Sequence, residues 1–88
     1  MASRTVEMVN KRGLHARASA KFVTLAANLP ATVEVEKYGS TVCGTSIMGL
    51  MMLGAAMGDT IIIHCDGDGC DDALDQLSAL VTERFGED

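Results

Sequence analysis

Apolar and polar residues alternate along this chain with two periods, and these periods predict seven secondary-structure elements. A period of two, or a short β-prone run, indicates a strand, whereas apolar residues three or four positions apart indicate a helix. The predicted strands are 5–9, 31–36, 41–43 and 60–65, and the predicted helices are 15–28, 46–53 and 71–84. The predicted element order is therefore βαββαβα.

Two of the predicted strands show which side of the sheet should be buried. Val33 and Val35 alternate with polar residues, and Ile61 and Ile63 fall on one side of the last strand. An antiparallel sheet commonly has one side in water, while helices cover the other side. We therefore expect an α+β fold, with a four-stranded, mostly antiparallel sheet and all three helices on one face.

The first and third helices carry apolar stripes that should pack on this sheet. The stripe of the first consists of Ala18, Phe22, Leu25 and Leu29, and that of the third consists of Ala73, Leu74, Leu77, Leu80, Val81 and Phe85. Asn28 and Pro30 should end the first helix. Thr45–Ser46 should cap the second helix, which should end at Gly54. Residues 37–40 should form a hairpin turn between two strands.

Chain length and charge limit the domain organisation and the functions that this protein can have. The 88 residues suit a single domain spanning 1–88. The net charge of −5 is uneven, because residues 1–37 hold six of the seven basic groups and residues 59–88 hold nine of the twelve acids. This acidity argues against nucleic-acid binding, and the remaining basic cluster is sized for one phosphate or an acidic protein surface. The cluster consists of Lys11, Arg12, Arg17 and Lys21.

Cys43, Cys65 and Cys70 are odd in number, and no signal peptide precedes the first predicted strand. This favours a location in the reducing cytoplasm, with plain buried thiols. A zinc site formed by His64 with Cys65 and Cys70 is a remote alternative, because no C-x-x-C pair supports it. We therefore expect no metal and no cofactor. Residues 38–58 lack charge, but their apolar part is too short to cross a bilayer, so we expect no membrane insertion.

The segment RGLHARA, residues 12–18, places His15 where the first helix should begin. One interpretation is an ordinary capping or surface histidine with no further role. The other is a phosphate site, because the free N–H groups and the dipole of a helix start attract anions. Arg17 adds guanidinium donors that match phosphate oxygens. The same positive field should hold the imidazole neutral, which is its nucleophilic form.

Three segments together resemble the HPr family, the histidine phosphocarriers of the bacterial phosphoenolpyruvate-dependent phosphotransferase system. They are GLHARASAKFV at 13–23, TSIMGLMML at 45–53 and ALDQLSALV at 73–81. The resemblance covers essentially the whole chain, including its length and element order. It implies an open-faced β-sandwich, which agrees with the layered fold expected from the hydrophobic pattern.

The resemblance also implies roles for individual residues. His15 matches the histidine that accepts phosphate on Nδ1 from enzyme I and passes it to an enzyme IIA-type domain. Arg17 matches the arginine that stabilises the phosphoryl group, and Ser46 matches the regulatory serine that an HPr serine kinase modifies in many bacteria. Family members usually have proline where this chain has Ala18. Alanine has a backbone N–H that proline lacks, so this substitution should alter the environment of the phosphate without abolishing the phosphate site.

The second helix is predicted to supply a docking surface. Leu50 and Leu53 can share its core-facing side, so Ile47, Met48 and Met51 cannot all be buried. The alternative is that the methionines fill an irregular core. Because the resemblance implies docking around the first two helices, we expect an exposed apolar patch, with basic Arg17 and Lys21 beside it to attract acidic partners. Ser46 likewise has an ordinary interpretation as a helix cap.

Three functions follow in order of preference. The first is a phosphocarrier, a stoichiometric co-substrate rather than a turnover enzyme, serving either sugar uptake or a nitrogen-related regulatory branch. The second is a non-catalytic regulatory module of the same fold, acting through the methionine-rich patch and Ser46. The third, a metal-binding protein built on His64 and Cys65, is remote. A monomer would suit a shuttle between partners best.

Overall fold

The computed structural model describes residues 2–87 and has the predicted order βαββαβα. The strands are β1 (Ala2–Glu7), β2 (Thr32–Lys37), β3 (Ser40–Cys43) and β4 (Thr60–Asp66). The helices are α1 (Ala16–Ala27), α2 (Ile47–Met52) and α3 (Cys70–Thr82), and a 3-10 turn (Arg84–Gly86) follows. Among the helices of residues 2–87, none has the length and apolar character that a membrane span requires.

The four strands form one sheet in the order β1-β4-β2-β3. All three neighbouring pairs are antiparallel, with Val6 opposite Ile61 and Val35 opposite Ile63 in the registers of β1–β4 and β2–β4. Inward residues of β2 and β4 are buried against the helices, while the alternate residues, such as Glu34, face away from the core. The α+β fold expected from the alternation is therefore confirmed.

The predicted hairpin turn joins β2 to β3. Tyr38 and Gly39 both have positive φ, 49° and 85°, between the paired ends Lys37 and Ser40. Two central residues with positive φ match the right-handed twist of the flanking strands. Gly39 adopts this conformation without steric cost, which is why the turn falls there.

β1 begins and ends earlier than predicted. The strand runs from Ala2 to Glu7 instead of 5–9, because its partner β4 pairs with it from Cys65 opposite Ala2 to Thr60 opposite Glu7. Met8 is wholly buried but lies beyond the ladder, where its N–H donates to the carbonyl of Asp59 at 2.8 Å. Alternation marks the buried side of a strand, whereas the partner strand decides its ends.

The helical stripes are confirmed in part. The buried residues of α1 are Ala18, Ser19, Phe22 and Ala26, and those of α3 are Ala73, Leu74, Leu77, Ser78 and Val81. Leu25, Leu29 and Leu80 are only partly buried at the edge of the core. The small residues Ala18 and Ala26 let α1 pack closely against its neighbours. The buried face of α1 is therefore centred nearer to Ala26 than to Leu25.

Phe85 is in the core, but the prediction that it lies on the third helix is wrong. The helix ends at Thr82, and Arg84 and Phe85 then adopt left-handed φ values of 60° and 53°. This conformation is unfavourable for residues other than glycine. Complete burial of the Phe85 ring offsets that cost and turns the chain back over the protein.

The cysteines differ from the expectation of plain buried thiols. Cys65 in β4 and Cys70 at the start of α3 form a disulfide, and Cys43 is free and exposed. The pair is local in sequence, and the tight turn between β4 and α3 brings the two Cα atoms to 5.6 Å. Across residues 2–87 no three metal-ligating side chains converge to hold an ion.

Replacing Phe85 with alanine should destabilise the protein by about 3–5 kcal/mol, because it empties a fully buried site and removes the anchor of the C-terminal segment. Urea unfolding monitored by circular dichroism measures this change. Met52→Ala, at an exposed position of α2, is the control and should change stability by less than about 0.5 kcal/mol. Equal effects of the two substitutions would contradict this account.

Candidate functional site

His15 is the N-cap of α1. Its backbone is extended, and its Nδ1 accepts a hydrogen bond from the backbone N–H of Arg17 at 3.2 Å. The His15 carbonyl accepts the N–H of Ser19 at 2.8 Å and begins the helical hydrogen bonds. First-turn N–H groups lack partners within their own helix, so they form a donor-rich site beside the ring. The predicted location of His15 at the start of the first helix is confirmed.

The loop before His15 is fixed by a close backbone approach. Gly13 has φ of +62°, and a Cβ at this position would overlap the carbonyl oxygen of Ala55. The next N–H, that of Leu14, donates to the same carbonyl at 2.9 Å, while the Leu14 side chain is buried. Only glycine permits both the positive φ and this approach. The start of α1 is thereby tied to the segment that follows α2.

The other ring nitrogen of His15 contacts the C-terminal segment. Nε2 lies 2.6 Å from Oε2 of Glu87, and the two side chains are only 13% and 17% exposed. Nδ1 accepts a hydrogen bond from the backbone N–H of Arg17, so it carries no proton in this contact. The two contacts therefore fit the neutral tautomer, in which Nε2 carries the proton and donates a hydrogen bond to Glu87. The ring is therefore partly covered while its Nδ1 faces the helix amides.

Asn10 supports Glu87 from inside the protein. Asn10 is wholly buried, and its Nδ2 donates to Oε1 of Glu87 at 3.3 Å and to the carbonyl of Gly13 at 2.8 Å. Partial burial raises the pKa of Glu87, but hydrogen bonds from His15 and Asn10, with the nearby positive charge of Lys21, lower it by more. The net pKa lies below the usual value, so Glu87 is ionised at neutral pH.

The two predicted basic residues lie on α1 beside His15. Arg17 is exposed, and its contact with His15 is made through the backbone N–H. Lys21, one turn further along, donates from Nζ to the carbonyl of Phe85 at 2.6 Å. Both residues line a groove of about 530 Å³, whose apolar wall includes Leu25 and Leu80. The site therefore combines positive charge with apolar surface.

α2 presents the predicted apolar patch next to this site, because α1 and α2 pack together. Leu50 is completely buried, whereas Ile47, Met48 and Met51 are exposed, Met48 by 69%. Ser46 is the N-cap, and its Oγ accepts the N–H of Gly49 at 3.0 Å. The structure thus places the patch at the surface rather than in the core.

Lys37 holds the end of α2 against the sheet. Its Nζ donates to the carbonyl of Gly54 at 2.9 Å and lies 3.1 Å from Oδ2 of Asp59. That carboxylate also accepts the N–H of Ala56 at 2.9 Å. The hydrogen bonds from Ala56 and Lys37 lower the pKa of Asp59, and partial desolvation opposes them less strongly. The segment after α2, including Ala55 beneath Gly13, is fixed by this cluster.

Sequence reasoning missed Asn10 and Glu87. Both lie in irregular segments outside the motif around His15, and Glu87 is 72 residues away from that histidine in the chain. Glu87 stands among several acids near the C-terminal end of the sequence, and no spacing distinguishes it from the others. Only the turn at Phe85 brings it to the ring.

The helix capped by His15 lies against an open four-stranded sheet. Residues 2–83 match the family model described as "PTS HPr component phosphorylation site". The chain therefore belongs to the HPr family of the phosphotransferase system.

Individual relatives agree with this assignment. The phosphocarrier protein HPr of Cupriavidus necator is 46% identical over 87 residues, covering 99% of this chain and 98% of that protein. The phosphocarrier protein NPr of Shewanella violacea is 39% identical over 84 residues, covering 96% and 92%. The crystal structure of HPr-C-His from Thermoanaerobacter tengcongensis matches with a TM-score of 0.95 at 39% identity, covering 100% of this chain and 99% of that one.

Asp59→Asn should lower the urea midpoint at about pH 7, and the difference from the wild type should shrink as the pH falls toward about 3. The pKa of Asp59 in the folded state lies below its ordinary value of 3.8. The contribution of the ionised carboxylate to stability is therefore complete above pH 3.8. The contribution is lost as the pH falls through the lowered folded pKa. The exposed Asp68→Asn serves as the control. A difference that persists undiminished in acid would contradict the charge-based explanation.

Proposed function

We propose that this protein carries a phosphoryl group on Nδ1 of His15, accepting it from phospho-enzyme I and passing it to enzyme IIA-type domains. The observation that carries the proposal is the position of Nδ1 at the first-turn amides of α1. The Arg17 N–H that Nδ1 accepts in the resting ring becomes a donor for a phosphoryl oxygen once the nitrogen is bonded to phosphorus. The helix dipole adds favourable interaction with the anion.

Arg17 would supply the second part of the anion site. Phosphoryl transfer proceeds with charge spread over three equatorial oxygens, so positioned donors do most of the work. The exposed guanidinium of Arg17 is free to turn toward a phosphoryl group at His15. Ala18, where proline is usual in the family, leaves one more N–H at the helix start, and its side chain is fully buried.

The surface around His15 supports docking on more than one partner. Ile47, Met48 and Met51 offer flexible apolar contacts, and Arg17 offers positive charge beside them. A carrier must leave each partner after transfer, which favours an adaptable surface of modest size. Because the relatives include proteins named both HPr and NPr, the acceptor is proposed only as the enzyme IIA class.

Labelled phosphoenolpyruvate with enzyme I should label the intact protein, and the label should be acid-labile and alkali-stable. His15→Ala should abolish labelling. Arg17→Ala should slow it on the order of 10²-fold, the loss typical of removing one donor to a developing anion. Arg4→Ala, which removes a remote arginine paired with Asp75, is the matched control and should label normally.

Failure of the intact protein to accept label would reject the carrier proposal. That result would favour the second function, a regulatory module acting through the methionine-rich patch and Ser46. Full labelling of His15→Ala would show that the protein is phosphorylated at a residue other than His15. Quantitative rates from rapid quench separate slow docking from slow chemistry, because docking defects are relieved at high enzyme I concentration.

Ser46 is proposed as a site of regulation by a serine kinase, through charge placed at the edge of the docking surface. Ser46→Asp retains a side-chain acceptor for the N–H of Gly49, so the fold should stay intact. The added negative charge should weaken docking on an acidic partner by about 5- to 10-fold in Kd. Ser40→Asp, on exposed β3, is the control. Equal binding of both variants and wild type, measured by calorimetry with enzyme I, would remove the regulatory role.

A further inference from the structure

The C-terminal segment after α3 returns to the start of α1. Glu83 is the C-cap residue of α3, and Arg84 and Phe85, which both have left-handed φ, reverse the direction of the chain. The Phe85 side chain is fully buried, and the backbone carbonyl of Phe85 accepts a hydrogen bond from the Lys21 ammonium group at 2.6 Å. An unfavourable backbone held by a core anchor and a charged hydrogen bond gives the next residues a defined position.

Glu87 is the residue that this turn delivers to His15. Both of its carboxylate oxygens are used, Oε2 at 2.6 Å from His15 Nε2 and Oε1 at 3.3 Å from Asn10 Nδ2. Asn10 is itself held by the Gly13 carbonyl at 2.8 Å and is wholly buried. The carboxylate is therefore oriented by the protein interior and is not merely a neighbour at the surface.

We propose that Glu87 is a positioning residue for phosphoryl transfer, which keeps the ring proton on Nε2 and balances the charge that the ring gains when Nδ1 is phosphorylated. The inference rests on the proposed function of His15. A neutral imidazole has one N–H, and Nδ1 already accepts the Arg17 N–H at 3.2 Å. The Nε2 proton therefore points at Glu87, as carboxylates often fix the tautomer of a working histidine.

The transfer step balances without moving a proton. The N–P bond of the phosphohistidine of enzyme I breaks, and its electron pair returns to the donor nitrogen. The lone pair of His15 Nδ1 forms the new N–P bond, while the proton stays on Nε2. The ring thereby gains positive charge, and the Glu87 carboxylate already lies at its protonated nitrogen. Onward transfer to the acceptor reverses these changes.

The other charges near the ring make a negative partner at Nε2 favourable. Arg17 and Lys21 are positive, and the helix start adds partial positive charge. Within residues 2–87, Glu87 is the one carboxylate hydrogen-bonded to the ring. Without it, the positive charge of the phosphorylated ring would be offset by the phosphoryl group alone, with no carboxylate at Nε2.

Two variants separate the roles of Glu87. Glu87→Gln keeps an acceptor oxygen but removes the charge, so the Nε2–H tautomer should persist while phosphoryl acceptance from enzyme I slows about tenfold. Glu87→Ala removes both, so the Nε2–H tautomer population should also fall. Ring tautomers are read from two-bond ¹⁵N–¹H NMR spectra of the unphosphorylated full chain. Glu83→Gln, at the exposed C-cap of α3, should match the wild type in both measurements.

An unchanged tautomer in Glu87→Ala would overturn the positioning role, and a wild-type rate in Glu87→Gln would overturn the charge-balancing role. Urea midpoints of all variants show whether the segment stays packed, and Glu87→Asp should recover part of the rate because its charge remains. The tautomer measurement needs no phosphate. If the wild type took no label, the transfer role would fail with the proposed function, whereas the tautomer result would still decide the ring-positioning role.

Discussion

The hydrogen bond from the Arg17 N–H to His15 Nδ1 is the interaction on which the rest of the site depends. A serine or aspartate cap would satisfy the same amide, but it would place no nitrogen lone pair at the helix start. Because a ring serves as the cap, this contact orients the imidazole and keeps Nδ1 as an acceptor beside the anion-attracting amides, while Glu87 accepts the proton on Nε2. The contact that caps the helix therefore also places a ring nitrogen beside the first-turn amides.

That geometry is held from two distant parts of the chain. Gly13 approaches the Ala55 carbonyl so closely that a side chain would not fit there, and this contact ties the loop before His15 to the segment after α2. Phe85, buried beyond the end of α3, fixes the segment that carries Glu87. A short helix start with one local cap would fray more readily, whereas contacts from both sides restrict the ring before any partner arrives.

The exposure of the apolar patch on α2 follows from how little of this helix the core can accept. α2 is a helix of six residues, and among them Leu50 is the one that is buried, so its other large apolar side chains face outward. The Lys37–Asp59 cluster fixes the end of this helix with charged hydrogen bonds. The apolar patch can therefore remain exposed without the helix depending on its burial for stability.

Patterns in the sequence were enough to predict the element order, the inward faces of β2 and β4, the hairpin turn, the capping of α2 and the position of His15 at a helix start. These features arise from interactions within a few residues, which periodicity and cap preferences record directly. Tertiary structure decided the ends of β1, the burial of Phe85 beyond α3, the Cys65–Cys70 pairing and the contact between Glu87 and His15. Each of these depends on which segment a residue meets in space, and one chain without its fold does not encode that proximity in any local pattern.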